Sequence, residues 1–424
     1  MPSDVFDRIF FSEEFREAVS DRAWLQALLD AERALAAAES RAGVIPAEAA
    51  DAIAAACHAD RFDPTELAER ARASGNPVEP LVRALTEAVD DDAARYVHWG
   101  ATSQDVLDTA AMLVSRVALD LILERLVGVA TQGARLADAH RSTPMVGRTL
   151  LQQAVPTTFG LKAAGWLIGV LDARRGLLRA RENLAVQLGG AAGTLAPLGD
   201  HGLEVVRFFA EELALQEPVA PWHTNRVRVA ELGAALAVAA GVVAKIGLDL
   251  ALMSQAEVGE VAEAEGGASS TMPQKRNPVG SALAIACARH VNAHASTLIA
   301  ALPQEHERAV GAWHSEWPAL TGALAFAGGA AEAALRALEG LEVDAERMRA
   351  NMELSGDAVM AEQASFLLAE RVGRREAYEL VARAAGSGRP LAEELGLDLE
   401  PTSYLGSAEA FVDRALAAYR AELG

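Results

Sequence analysis

The chain has 424 residues, of which 51% are hydrophobic and 23% charged, and its net charge at neutral pH is −21. This length and apolar content suffice for a large core and two or three domains. A charge this negative excludes nucleic acid and an anionic membrane surface as partners, because both would repel the protein at long range. Any anionic ligand must therefore be bound by a local group of donors.

The N-terminal stretch MPSDVFDRIFFSEEF lacks the basic start and apolar stretch of a signal peptide, so a cytoplasmic location is predicted. The longest apolar run without a charge, residues 232–244, is too short to cross a bilayer and is predicted to form a buried helix. Cys57 and Cys287 both lie in alanine-rich helical sequence. Two cysteines are too few for a disulfide framework, which predicts packed free thiols.

Helix-favouring residues dominate the chain. Five long segments are rich in Ala, Leu, Glu and Arg and almost free of proline, which predicts helices over residues 105–140, 158–188, 226–257, 279–302 and 319–341. An all-α fold is predicted, with an N-terminal helical domain over residues 1–100, a central bundle of these long helices over 101–341 and a C-terminal helical domain over 342–424. Residues 232–253 are apolar nearly all the way round a helix, which predicts further burial against other subunits.

The first irregular segment is HWGATSQDVLDTA, residues 98–110. Gly100 interrupts the helical pattern, and Thr102 or Ser103 can cap the helix that follows. The free N–H groups of that first turn, together with the two hydroxyls and the amide of Gln104, would form an anion site. An ordinary capped helix start is the alternative interpretation for this segment taken alone.

The second irregular segment is GRTLLQQAVPTTFG, residues 147–160. Arg148, Thr149, Gln152 and Gln153 supply hydrogen-bond donors, and Pro156 indicates a kink or restart within helical sequence. Considered only as structure, the segment is predicted to be a polar connection between two helices. By itself it assigns no function.

The third irregular segment is GGASSTMPQKRNP, residues 266–278. Gly266 and Gly267 give it conformational freedom, and Pro273 and Pro278 define its corners. Its polar side chains are donors and cations without a single carboxylate, namely Ser269, Ser270, Thr271, Gln274, Lys275, Arg276 and Asn277. The preceding stretch is acidic, so the charge changes from negative to positive along the sequence. This change favours a mobile lid that closes over an anion rather than a passive connector.

This third segment resembles the signature loop of the fumarase/aspartase superfamily, Gly-Ser-Ser-x-Met-Pro-x-Lys-x-Asn. The chain matches it as ASSTMPQKRNP, with Ala268 in place of the usual glycine. The first two segments fall where the superfamily has its other signature regions, in the same order, and residues 188–199 resemble its glycine-rich turn. The likeness is greatest to the muconate cycloisomerase branch and, through PWHTNRVRVAEL and YLGSAEAFVDRAL, covers essentially the whole chain.

The resemblance implies roles for individual residues. In lyases of the superfamily a carbanion forms next to a carboxylate and the loop serine removes the proton, which makes Ser269 the catalytic residue here. Lys275 and Asn277, together with Ser270, fall in the loop that binds the substrate carboxylate and spreads its developing charge. The carboxylate-binding positions of the first two segments correspond to Thr102, Ser103, Gln104, Thr149 and Gln152.

One departure from the superfamily pattern indicates the reaction. Fumarases and adenylosuccinate lyases have Thr-His in the second segment, where the histidine assists the leaving group, whereas this chain has Thr149-Leu150. Leucine cannot transfer a proton, so hydration or amine elimination would lack its usual acid. In lactonisation the attacking group is a carboxylate with a reference pKa of about 4, which needs no base. Only a proton donor to carbon is then required, and Leu150 therefore favours a cycloisomerase.

Two further candidates come from the same resemblance. His98 matches a histidine in the site of adenylosuccinate lyases, where it could orient a carboxylate or assist proton transfer; a structural hydrogen bond at a helix start is the alternative. Arg308 matches an arginine near substrate in that branch and is a candidate for the third carboxylate, with a salt-bridged bundle arginine as the alternative. His290 and His294 lack a third ligand nearby in sequence, so core or interface histidines are favoured over zinc. No metal or cofactor is predicted.

Members of the superfamily are homotetramers in which each active site takes one signature region from each of three subunits. The resemblance therefore implies a homotetramer that acts on a small polycarboxylate, with lactonisation of a carboxylated muconate in aromatic-acid catabolism as the predicted reaction. Two alternatives stay open. One is a lyase of the adenylosuccinate or argininosuccinate type, and the other is a non-catalytic scaffold, against which the retention of Ser269, Lys275 and Asn277 argues.

Overall fold

The computed structural model describes residues 4–264, 267, 272 and 275–424. Helices make up most of this part of the chain, which confirms the all-α prediction. The N-terminal third begins with short and medium helices, namely α1 (Asp4–Phe10), α2 (Glu13–Ala18), α3 (Asp21–Arg41), α4 (Ala47–Ala56), α5 (Pro64–Ser74), α6 (Val78–Glu87) and α7 (Asp91–Ala94).

Five long helices follow in the predicted segments, with bounds that differ from the predicted ones by up to seven residues. They are α8 (Ser103–Ala139), α9 (Phe159–Glu182), α11 (Val227–Met253), α12 (Val279–Ala300) and α13 (Ala312–Leu338), with the shorter α10 (Gly202–Leu213) between α9 and α11. The chain ends with α14 (Ala345–Glu353), α15 (Ala361–Val372), α16 (Arg374–Ala385), α17 (Leu391–Leu395) and α18 (Ala408–Leu423).

Local chemistry explains where α5 begins and ends. The side chain of Asp63 caps the helix by accepting a hydrogen bond from the Thr65 N–H, and Pro64 occupies the first turn, where no N–H is needed. Gly75 ends the helix with a φ of 72°, in the left-handed region that favours glycine. The sequence FDPTE thus starts a helix, and SGNP stops one.

The second irregular segment connects α8 to α9, as predicted, but it does so as a β-hairpin, and Pro156 is not a kink in helical sequence. Strand β1 (Pro144–Thr149) pairs antiparallel with β2 (Gln152–Thr158), and Pro156 lies within β2 opposite Val146. A second pair of short strands, β3 (Val261–Ala262) and β4 (Glu342–Val343), is also antiparallel. The strands were not predicted because helical sequence surrounds them and Pro156 interrupts the β-branched residues Val155, Thr157 and Thr158 that favour a strand.

The chain divides into two compact units. The first contains residues 1–124, 173–241 and 286–330, and the second contains residues 125–172, 242–285 and 331–424. In the first unit α3 packs against α4 and α10 over fully buried side chains such as Leu29 and Phe209. In the second unit α15 packs against α16, and Val146 of the hairpin joins their core with Met352 and Met360. The boundaries at residues 100 and 341 stay a prediction.

Helix α11 leaves part of its apolar surface uncovered. Val238 is 59% exposed and Leu248 is 50% exposed, although most of the helix is buried or half-buried. By length and composition alone α11 and α13 could each cross a membrane, but the core helices of soluble proteins meet the same criteria. The uncovered residues are of the kind that a subunit interface buries.

Both cysteines are free and buried, as predicted. Burial raises the pKa of each thiol to about 12. Thiols of this kind are inert, so neither cysteine is a candidate nucleophile.

Candidate active site

The first signature segment forms the start of α8 in the first unit. Thr102 precedes the helix, and its N–H donates to the carboxylate of Asp105 at 3.0 Å. The same carboxylate accepts the N–H groups of Gly189 and Gly190 and contacts Nε2 of His223 at 2.6 Å. The anion at this helix start is thus the protein's own Asp105, as the macrodipole favours. The side chains of Thr102 and Ser103 stay partly exposed and make no hydrogen bond that the structure shows within its described ranges.

Gln104 and Arg308 are joined in the same unit. Gln104 is fully buried; its Nε2 donates to Asp108 at 3.1 Å and to the carbonyl of His223 at 2.9 Å. Its Oε1 accepts from Nη1 of Arg308 at 2.9 Å, and Nη2 of Arg308 donates to the carbonyl of Ala191. The amide of Gln104 is therefore fully engaged, whereas Arg308 is only half-buried and makes no salt bridge with any described residue.

A buried ion cluster lies beneath these residues. Nη1 and Nη2 of Arg226 donate to Asp108 at 2.7 and 3.0 Å, and its Nε donates to Glu316 at 3.0 Å. All three side chains are at most 3% exposed. Burial lowers the pKa of Arg226, but the two carboxylates outweigh this effect and hold the pKa above its usual value. Trp313, which lies on α13 with Glu316, donates to Asp108 as well, so the cluster joins α8, the start of α11 and α13.

His98 precedes α8 and contacts a carboxylate of α3. Its Nδ1 is 2.6 Å from Oε1 of Glu32, which is on α3 and only 1% exposed. The φ of His98 is 59°, an unusual value for a residue other than glycine. Gly100 follows with a φ of 72°, and a Cβ there would lie 2.7 Å from the side chain of Leu198.

The second unit carries the second signature segment at the hairpin. Thr149 and Gln152 are opposite each other in the β-pairing, and both are exposed. Leu150 and Leu151 form the two-residue turn between them, with φ values of 49° and 64°. Positive φ at both central positions is typical of a type I′ turn, in which Asn-Gly is the favoured pair. Leu150 is 96% exposed and Leu151 is 74% exposed.

Polar contacts within the second unit hold the hairpin in place. Arg148 donates two hydrogen bonds, at 2.9 and 2.6 Å, to the fully buried carboxylate of Glu260. Asn351 of α14 donates to the same carboxylate, and Gln153 donates to the backbone carbonyl of Asn351. Two donors of the second signature segment, Arg148 and Gln153, are thereby used for structure. Thr149 and Gln152 are the donors left near the turn.

The third signature segment is closed at its base by a β-bridge. Gly267 and Asn277 exchange two backbone hydrogen bonds, and Nδ2 of Asn277 also donates to the Gly267 carbonyl. Glu263 accepts the N–H groups of Gly280 and Ser281, which fixes the start of α12. Ser269, Ser270 and Gly266 lie outside the described residues.

Lys275 and Asn277 line a cavity of about 1130 Å³ in the second unit. Arg276, on the same wall, is paired with Glu342 through two hydrogen bonds at 2.9 and 3.0 Å. Lys275 is exposed and makes no ion pair within the described part of the chain. It is therefore the cation of this segment that is available to an anionic ligand.

The predicted residues thus fall into two groups. His98, Thr102, Ser103, Gln104 and Arg308 lie together in the first unit, and Thr149, Gln152, Lys275 and Asn277 lie in the second. Sequence reasoning missed the buried partners Glu32, Asp105 and Arg226. A candidate signal existed for Arg226, which lies in the stretch PWHTNRVRVAEL, but nothing near Glu32 in the sequence indicates its contact.

The remaining histidine pair is packed against an aromatic side chain. His290 stacks on Phe326 with ring centroids 4.2 Å apart, and His294 is 5.9 Å from the same ring. Among the described residues, no group of three or more His, Cys, Asp or Glu could hold a metal ion.

A fold of long helices with three signature segments defines a class of protein. The family model described as Lyase matches residues 10–292, and the chain belongs to the fumarase/aspartase superfamily. The chain is 47% identical to a 3-carboxy-cis,cis-muconate cycloisomerase of Bradyrhizobium diazoefficiens, over 96% of each protein. It is 46% identical to a nitrosuccinate lyase of Streptomyces davaonensis, over 94% of this chain and 91% of that one. The crystal structure of the 3-carboxy-cis,cis-muconate lactonizing enzyme from Pseudomonas putida covers 99% of both chains with a TM-score of 0.92 and 42% identity.

The leucine turn gives a prediction about stability and activity. We expect the double substitution Leu150→Asn with Leu151→Gly to raise the free energy of unfolding by about 1 to 2 kcal/mol, because it removes left-handed strain from two branched residues. Turnover should fall, since the turn lies between Thr149 and Gln152. Urea titration and initial rates measure the two effects. A loss of stability would contradict the strain account and would show that the leucines are packed in the assembled protein.

Proposed function

We propose that the protein is a lactonising cycloisomerase that converts 3-carboxy-cis,cis-muconate into 4-carboxymuconolactone, a step of protocatechuate breakdown through the β-ketoadipate route. One observation carries the proposal. Leu150 stands at the exposed turn between Thr149 and Gln152, where hydrating and amine-eliminating relatives have a histidine. The near full-length likeness to enzymes with this name supports it.

The reaction needs charge binding and one proton. A carboxylate oxygen of the substrate bonds to one carbon of a conjugated C=C, and a proton bonds to the other carbon, next to a second carboxylate. The carboxylate becomes a lactone ester, so each turnover takes one proton from the medium. Ser269 is the proton donor to carbon in this proposal, and Lys275 with Asn277 stabilises the charge that develops on the neighbouring carboxylate.

The other candidate residues bind the remaining carboxylates. The hydroxyls of Thr102 and Ser103 and the guanidinium of Arg308 lie in one unit, and Thr149 and Gln152 offer donors in the other. A local donor set is necessary because the protein carries a net charge of −21, which repels a trianion. Gln104 holds Arg308 through its amide oxygen and acts by orienting it.

The active site is assembled from three subunits of a homotetramer in this proposal. Val238 and Leu248 on α11, which are about half exposed in the single chain, support a helical core shared between subunits. Light scattering during gel filtration measures the mass, which should be four times the chain mass of 44.5 kDa. A cytoplasmic location stays a prediction.

A second candidate is a lyase. The nitrosuccinate lyase is 46% identical to this chain, almost the same value as for the cycloisomerase from Bradyrhizobium diazoefficiens. Overall identity therefore does not separate the two reactions. Lyases of the adenylosuccinate or argininosuccinate type fit less well, because Leu150 stands at the position of the histidine that is their usual acid.

The test is a comparison of substrates with one purified protein. We expect ultraviolet absorbance of the conjugated diene to disappear when 3-carboxy-cis,cis-muconate is added, and no reaction with adenylosuccinate or nitrosuccinate. Reaction with adenylosuccinate or nitrosuccinate, but not with 3-carboxy-cis,cis-muconate, would overturn the proposal in favour of a lyase. No reaction with any of the three would favour a scaffold.

A further inference from the structure

A buried acid lies behind His98. Glu32 belongs to α3, 66 residues earlier in the chain, and its Oε1 is 2.6 Å from Nδ1 of His98. The carboxylate is 1% exposed, whereas the imidazole is 16% exposed. A carboxylate can only accept in such a contact, so Nδ1 carries the hydrogen and donates it. Nε2 is then the ring nitrogen through which His98 exchanges protons.

The backbone of His98 is held in an uncommon conformation at this contact. Its φ of 59° lies in the left-handed region, which is strained for a residue other than glycine. Residues of this kind cluster at functional sites, where the surrounding structure maintains the strain. The hydrogen bond to Glu32 fixes the ring orientation that goes with this backbone.

The charges around His98 favour its protonated form. Burial lowers the pKa of His98, but the charge and hydrogen bond of Glu32 and the charge of Asp105 outweigh burial, and the pKa is raised above its ordinary value. This ion pair stabilises the fold below about pH 6.5, the unfolded pKa, and the contribution is lost as the pH rises through the folded value. His98 therefore keeps its proton up to a higher pH than a free imidazole does.

We propose that Glu32 is a positioning residue of the active site, which holds His98 by Nδ1 so that Nε2 of the imidazolium supplies the proton that each turnover takes up. This role rests on the proposed function. Proton balance is complete: Nε2 releases one proton per turnover, the reacting carbon of the substrate gains one, and the neutral imidazole regains one from water. Glu32 acts through His98 and never touches the substrate.

Glu39 provides a matched control on the same helix. It lies seven residues after Glu32, is also 1% exposed, and its Oε1 has no hydrogen-bond partner within the described ranges. Burial and the charge of Glu32 raise the pKa of Glu39 to about 9. Glu39 is thus neutral at pH 7, and Glu39→Gln replaces a neutral group by another of nearly the same shape.

The test compares Glu32→Gln with Glu39→Gln in the full-length protein. First, the pH dependence of His98 carbethoxylation by diethyl pyrocarbonate, followed by peptide mass spectrometry, reports the pKa of His98 without any substrate. We expect Glu32→Gln to move this profile to lower pH by about one unit or more, because an opposite charge close by is removed. Glu39→Gln should leave it in place.

Second, kcat/KM should fall on the alkaline side of its pH profile, and in Glu32→Gln this fall should begin at a correspondingly lower pH. Glu39→Gln should not show this shift. An unchanged modification profile, or an alkaline limb that moves equally in both variants, would overturn the role of Glu32. If the modification profile moves but neither protein lactonises the substrate, the Glu32–His98 pair stands and the proposed function fails. Urea midpoints of both variants separate these effects from a loss of folding.

Discussion

Replacement of Ser269 by alanine is expected to lower kcat for lactonisation by about 10² to 10⁴-fold, the usual contribution of a positioned acid or base. The carboxylate that attacks is already ionised at neutral pH, so proton delivery to carbon is the one step that a side chain must perform. KM should change little, because removal of an interaction made only in the transition state lowers kcat without weakening substrate binding. Initial rates from the loss of diene absorbance measure both constants.

Ser270→Ala is the matched control, since it removes the same hydroxyl from the adjacent position. If Ser270 contributes to substrate binding, its loss should raise KM more than it lowers kcat. Unchanged turnover in Ser269→Ala would contradict the mechanism, and an equal fall of kcat in both variants would leave the assignment of the proton donor to Ser269 without support.

The long helices could be predicted because their signal is local. Ala, Leu, Glu and Arg are strong helix formers, and the observed bounds of α8 and α12 lie within two residues of the predicted ones. The β-hairpin could not be predicted in the same way. Its turn is Leu150-Leu151, which no turn preference favours, and contacts with Glu260 and Asn351 far along the chain hold its strand in place.

In the candidate site, too, local sequence signals could be used for prediction and long-range contacts could not. Candidate residues inside the three signature segments could be chosen from the sequence, because a motif of closely spaced residue types carries its own evidence, and their roles stay a prediction. The buried partners Glu32 and Arg226 could not be chosen in this way. Glu32 meets His98 across 66 residues, and Arg226 meets Asp108 across 118, so only the folded chain reveals either pair. Gln104 shows the consequence: its type and position indicate a ligand for substrate, whereas its contacts make it the support of Arg308.

The largest loss of stability is expected for Arg226→Met, at about 3 to 5 kcal/mol of unfolding free energy. The substitution keeps an unbranched, largely apolar side chain but leaves Asp108 and Glu316, at 2% and 3% exposed, without their shared cation. Two buried carboxylates would then have to be protonated or hydrated. Burial already raises the pKa of Glu316 despite the nearby guanidinium, so loss of Arg226 should raise it further. Urea titration at fixed protein concentration measures the loss.

The sign of the pH dependence separates this account from a simple packing defect. The raised pKa of Glu316 means that this carboxylate binds its proton more tightly in the folded state, so the stability of Arg226→Met should recover as the pH falls towards 5. Arg41→Met, which removes an exposed pair with Glu211 and Glu212, should leave the midpoint unchanged at every pH. Adding Asp108→Asn and Glu316→Gln to Arg226→Met should restore part of the lost stability at pH 8. A loss that is independent of pH and not reduced in the triple variant would refute the buried-charge explanation.

Because Gln104 is bound to Asp108 and holds Arg308, the single variant Arg226→Met should also bind the substrate more weakly under conditions in which it is still folded.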